Sequence, residues 1–247
     1  MTAYLADGPG AFDALGMKHR DIQPWEDGIR TDPHAHSFEW WYFDAHLADG
    51  SALVITFFTK QMLSPYLPLQ PVVTLNLDRP DGTHVQRELH FSPEEFSAST
   101  ERCDVRIGPN VFTGDLHTYR IHVEDEEITV DVTLTGKVPP WRPATGHLYF
   151  DDGTADNRHL FAWLPAVPDG TVEATLTHQG STETIQGVGY HDHNWGDVPM
   201  NQIVHHWWWA RARVGPYTVI TCHITAEAAY GGDPVPVLMI ARDGQVI

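Results

Sequence analysis

The decapeptide GVGYHDHNWG, Gly187 to Gly196, sets a tyrosine, two histidines, an aspartate, an asparagine and a tryptophan between glycines. If it is extended, Tyr190, Asp192 and Asn194 point to one side and His191 and His193 to the other. The first side offers a carboxyl group flanked by a phenol and an amide. Among aromatic walls, burial penalises the charged form of such a carboxyl, so it can hold and donate a proton near neutrality. The second side offers two imidazoles, which with a third from His205 or His206 would make a metal site with one open position. A plainer role stays open beside these, in which the same side chains only hydrogen-bond the connection between two parts of the fold. A second HxH pair, His34 and His36, stands just before the first tryptophan-rich segment.

Two such segments exist, and they repeat. WWYFDAHLADGSALVIT, from Trp40, aligns with WWWARARVGPYTVIT, from Trp207, at an offset of 167 residues with a two-residue gap after Leu47. Trp40 matches Trp207, Trp41 matches Trp208, Ala45 matches Ala212, Gly50 matches Gly215, and the VIT triplets coincide. Each segment reads as a strand, a tight turn and an apolar strand. On the first, Glu39, Trp41, Phe43, Ala45 and Leu47 share one face, while Trp40, Tyr42, Asp44 and His46 share the other. On its counterpart Trp207, Trp209, Arg211 and Arg213 oppose Trp208, Ala210, Ala212 and Val214. A face that mixes aromatic rings with a few charged groups suits a cavity for a large apolar ligand. The competing reading is an aromatic core backed by a solvated outer face.

The elements that must position these residues are strands. Short runs rich in Val, Ile, Thr and aromatics, such as SALVITFFT, PVVTLNLD, TYRIHVE, EITVDVTLTG and TVEATLTHQG, alternate with turn signals such as ADGS, RPDG and EDEE. Only SPEEFSA, Ser92 to Ala98, opens like a helix, with Pro93 in its first turn. Many short antiparallel strands at hairpin spacing predict an all-β sandwich or barrel. The expected organisation is an N-terminal arm over 1–36, a first β unit over 37–196, and the start of a second over 197–247. The second unit is expected to be truncated, or to be completed by a homo-oligomer or a domain swap, because an open sheet edge invites pairing.

Composition narrows the function. Fifteen Lys plus Arg against 33 Asp plus Glu give a formal charge of -18, which repels nucleic acid. No apolar run reaches the ~18 residues of a membrane helix, and the N-terminus lacks a secretory pattern, so cytoplasmic residence is the expectation. The two cysteines, Cys103 and Cys222, have neither disulfide-scaffold nor zinc spacing. Nucleophile-elbow, P-loop and dinucleotide motifs are absent, and neither a cofactor nor a metal is called for.

FEWWYFDAHLADG, GVGYHDHNWG and HHWWWARA resemble the lipocalin-like AttH and carotenoid 1,2-hydratase (hydroxyneurosporene synthase) family, which is similar to the lipocalin-like Diels-Alderases. The resemblance covers roughly Pro33 to Val219. It implies tandem lipocalin-like (calycin) barrels and a hydrophobic polyene or polyketide-like substrate. It also implies that Asp192 protonates a double bond, with Tyr190 beside it and Trp163 of FAWLP stabilising positive charge by cation-π contact. The catalytic candidates are therefore Asp192, Tyr190, His191 and His193. Candidate substrate-binding residues are Glu39, Trp40, Trp41, Tyr42 and Trp163, together with Asn194, Trp195, His206, Trp207 and Trp209. The expected function is cyclisation, or acid-assisted addition at a double bond, on a polyketide or terpenoid intermediate. The alternatives are a non-catalytic carrier of a small apolar ligand and a carotenoid 1,2-hydratase proper.

Overall fold

A computed structural model of the chain describes residues 1–154 and 158–247. It is an all-β protein. The strands are β1 (Thr2–Leu5), β2 (Phe38–Leu47), β3 (Ala52–Phe58), β4 (Val72–Asp78), β5 (His84–His90), β6 (Phe96–Ala98), β7 (Asp104–Ile107), β8 (Asn110–Gly114) and β9 (Thr118–Glu124). They continue with β10 (Ile128–Gly136), β11 (His147–Asp151), β12 (Arg158–His178), β13 (Ser181–Gly196), β14 (Val204–Val214), β15 (Tyr217–Ala226), β16 (Pro234–Arg242) and β17 (Gln245–Val246). The helical pieces are short, the longest being Pro9–Ala14. Among the described residues no helix is long and apolar enough to cross a membrane.

Strands β1 to β13 form one antiparallel sheet, in the order β5-β4-β3-β2-β13-β12-β10-β9-β8-β7-β6, with β11 and β1 continuing from β12. This sheet curls, because the inward residues of β2 to β5, β7 to β10, β12 and β13 all pack into one core. Alternation drives the curl: Trp41, Phe43, Ala45 and Leu47 of β2 are buried in that core, while Trp40 and Tyr42 lie half-buried on the outside. Strands β14 to β17 make a second, four-stranded sheet. Its inner face, including Ile220, Cys222, Val237 and Met239, shares a second core with Phe38, Phe150, Trp163 and Tyr190 of the first sheet.

Two local features of the strands have physical reasons. SPEEFSA makes one 3-10 turn, Pro93–Glu95, closed by a reciprocal Ser92–Glu95 capping box, and then enters β6 at Phe96. Three residues are too few to propagate a helix once β7 offers strand pairing. LPAVPDG, with two prolines, lies inside the 21-residue β12. The register of β12 against β13 shifts between Leu164 and Val167 and again between Val167 and Gly170. Those irregularities accommodate Pro165 and Pro168, which cannot donate to a ladder.

The N-terminal segment does more than cover the body. β1 pairs with β11, and the 3-10 turn Pro24–Asp27 carries Glu26 and Asp27 into full burial. Glu26 meets Arg142 in a buried ion pair at 2.7 Å. Trp41 donates its indole Nε1 to the Asp27 carbonyl at 3.2 Å.

Candidate functional site

The decapeptide forms the C-terminal half of β13, hydrogen-bonded to β2 on one side and β12 on the other. From Gly189 to Gly196 every residue is buried, because the strand lies between the first core and the second sheet. Its glycines fit close approaches. A Cβ on Gly189 would stand 2.5 Å from Val172 Cγ2 and 2.9 Å from the Asp44 carbonyl oxygen.

Facing the second sheet, Asp192 is 7 % exposed and accepts three hydrogen bonds. Trp163 Nε1 donates to Oδ2 at 2.8 Å and Tyr190 donates to the same oxygen at 2.7 Å. Asn194 Nδ2 donates to Oδ1 at 2.7 Å. Burial pushes the Asp192 carboxyl above its ordinary value, and these three donors only partly offset the desolvation. A proton is best placed on Oδ1, which accepts one bond where Oδ2 accepts two. The result is a carboxyl group held in a fixed orientation, its protonated form favoured relative to an exposed aspartate.

Asp192 lines a cavity of about 260 Å³ between β2, β12 and β13 on one side and β14 and β15 on the other. The aromatic lining is Trp40, Tyr42, Phe161, Trp163, Trp207 and Trp209. Met62, Met200, Val204, Cys222 and Ile224 complete an apolar wall that the motifs did not reveal. Cys222 is a poor nucleophile there, since burial pushes its thiol up to about 11. Burial and the neighbouring Asp44 and Asp192 also raise the Tyr42 phenol, which stays a neutral hydrogen-bonding group.

Beyond Tyr42 and Trp209 on the same two strand faces, Arg211 of β14 forms an ion pair with Asp44 of β2. Its guanidinium also stands 5.5 Å from the Tyr190 ring centroid. Asp44 and Arg211 are 167 residues apart, the offset of the sequence repeat. The equivalent strands of the repeat thus face each other across the cavity.

The structure separates the sequence candidates into two sets, apart from His206, which is exposed on β14 outside the cavity lining. Trp40, Tyr42, Trp163, Asn194, Trp207 and Trp209 surround Asp192, with Tyr190 directly behind its carboxyl. His191, His193, Glu39, Trp41 and Trp195 face the other way and are buried within the curled sheet. There His193 Nε2 meets Glu39 at 2.7 Å and its ring stacks on Trp41 at 4.6 Å. Glu39 also accepts bonds from Arg30 N, Thr31 N and Thr31 Oγ1, fastening the N-terminal segment. His205 and His206 are exposed on β14, so they do not join the buried pair as metal ligands. Among the described residues, the His, Cys, Asp and Glu ligand atoms that converge as a set of three or more belong to Asp27, Cys103 and His191.

Against known proteins, residues 34–247 match the model of the family described as Diels-Alderase-like. The chain belongs to the Diels-Alderase-like family. It is 27% identical over 208 residues to the quinolone epoxide rearrangement protein asqO of Emericella nidulans, covering 78% of this chain and 56% of that protein. It is 27% identical over 206 residues to the hydroxyneurosporene dehydrogenase of Chlorobaculum tepidum, covering 71% of this chain and 53% of that protein. The chain spans about half the length of these curated relatives. Among solved structures, an AttH protein of Nitrosomonas europaea superposes with TM-score 0.68 at 18% identity, covering 98% of this chain and 74% of that one. CghA with Sch210972 gives a TM-score of 0.62 at 17% identity, covering 88% and 60%. The fold is thus the lipocalin-like one expected from the motifs.

Proposed function

We propose that the protein is an enzyme of secondary metabolism that binds a hydrophobic, polyunsaturated small molecule in the Asp192 cavity. The reaction class is cyclisation, or acid-assisted addition or rearrangement at an unsaturated or strained centre. The observation that carries this reading is Asp192 itself: a carboxyl with a raised pKa, oriented by Trp163, Tyr190 and Asn194 and presented to an aromatic cavity. A proton from Oδ1 would polarise a carbonyl or open a strained ring, or create a carbocation on a double bond. Trp40, Trp163 and Trp209 would face the developing positive charge. The cavity walls would hold a flexible chain in a reactive conformer, and well-oriented intramolecular reactions reach effective molarities of ~10⁵ M or more.

The relatives support this class without fixing its member. One is named for rearranging a quinolone epoxide, and a structural neighbour, the kievitone hydratase of Nectria haematococca, for hydration. A cavity of about 260 Å³ lies just below the ~300–1,000 Å³ usual for ligand sites. It suits a polyketide or terpenoid intermediate of modest size better than a whole carotenoid.

The test is turnover. Wild-type protein is incubated with a panel of polyenes bearing enone or epoxide groups, and products are read by mass spectrometry beside Asp192→Asn. Product that depends on Asp192 supports the reading. Ligand that binds in the cavity and is always recovered unchanged makes the protein a carrier.

A further inference from the structure

Behind the catalytic face, inside the curled sheet, lies a cluster that the proposed chemistry does not use. Asp27 of the N-terminal segment, Cys103 of the β6–β7 connection and His191 of β13 are 1%, 1% and 0% exposed. One ligand atom from each lies within 4.8 Å of the others. The segments are remote in sequence, and only folding brings them together.

The hydrogen bonding of this cluster lacks a positive centre. His191 Nδ1 is 2.8 Å from the Tyr42 carbonyl, which can only accept, so Nδ1 carries a proton. In the neutral ring Nε2 then turns its lone pair toward Asp27 Oδ2, 3.3 Å away. That same oxygen accepts a hydrogen bond from Tyr119. Asp27 Oδ1 is buried with no hydrogen-bond partner, and so is His193 Nδ1, 3.5 Å from it. Buried polar atoms are rarely left in this state.

We infer that Asp27, Cys103 and His191 form a structural site for a divalent cation of zinc type. A sulfur, an imidazole nitrogen and a carboxylate oxygen suit zinc, whereas magnesium and calcium take oxygen sets. The Tyr42 carbonyl on His191 and the Tyr119 hydroxyl on Asp27 are the outer hydrogen bonds that orient such ligands. His193 Nδ1, without a partner and 3.5 Å from Asp27 Oδ1, borders the site. On binding, the Cys103 thiol releases its proton and coordinates as thiolate. The cation would tie the N-terminal segment to the strand that carries Asp192 on its opposite face.

The experiment is metal analysis of untagged full-length protein, expressed with zinc supplied and purified without chelator, followed by cobalt(II) reconstitution. The expected result is about one equivalent of zinc per chain. Cobalt should give a thiolate-to-metal charge-transfer band that is lost in Cys103→Ala and kept in Cys222→Ala. Chelation should lower the Tm of wild type and leave that of Cys103→Ala unchanged. Less than ~0.1 equivalent in wild type overturns the inference. Metal retained at full occupancy by Cys103→Ala overturns it too. Because wild-type content decides the matter, failure of a variant to fold does not blunt the test. Neither result depends on turnover at Asp192.

Discussion

Replacing Asp192 by Asn removes the transferable proton and little else. The side chains have nearly the same shape, and the Asn carbonyl can still accept from Trp163 and Tyr190, the two donors at 2.8 and 2.7 Å. The new amide would face Asn194 Nδ2, now 2.7 Å from Oδ1, and Asn194 can flip to present its own oxygen. Binding should therefore change less than threefold, while general acid catalysis worth ~10²–10⁴ is lost from kcat. The assay is single-turnover product formation beside equilibrium dialysis of the same ligand. Wild-type rate should also fall as pH rises through one ionisation lying above the ordinary carboxyl value, because only the protonated form is competent. Stability shares that sign. The folded state holds the Asp192 proton more tightly than the unfolded chain, so this contribution is complete at low pH and is lost as pH rises through the raised folded value. Asp192→Asn should flatten that part of the stability profile. A variant turning over within threefold of wild type would refute proton donation by Asp192.

Three further outcomes follow from the geometry. Trp163→Phe removes a hydrogen bond that favours the Asp192 anion, so the alkaline limb of the rate profile should move to higher pH; movement to lower pH would contradict the acid role. Glu39→Gln weakens buried hydrogen bonds to His193, Arg30 and Thr31, and urea denaturation should report a loss of about 1–3 kcal/mol. Gly189→Ala drives a methyl group against Val172 and the Asp44 carbonyl, and should cost ~1–3 kcal/mol by the same measurement.

The sequence by itself determined the all-β class, the two tryptophan strands and their faces. Side-chain alternation is a property of the extended backbone, so Tyr190, Asp192 and Asn194 had to part from His191 and His193 once the stretch became a strand. The repeat likewise held the pairing of Asp44 with Arg211 in its offset, although nothing in the pattern announced that the equivalents would touch. Tertiary structure decided which face meets the cavity. Trp41 and Trp195 look as suited to ligand binding as Trp40 and Trp163, yet the curl of the first sheet encloses them with His193. Met62, Met200 and Cys222 entered the cavity wall only through packing of the second sheet on the first. Asp27 and Cys103 lie 76 residues apart in sequence and meet at His191 only because the N-terminal turn packs into the curled sheet. Local periodicity sorts neighbours along a strand, whereas burial and long-range contact depend on how the sheets close, which no short window of residues records.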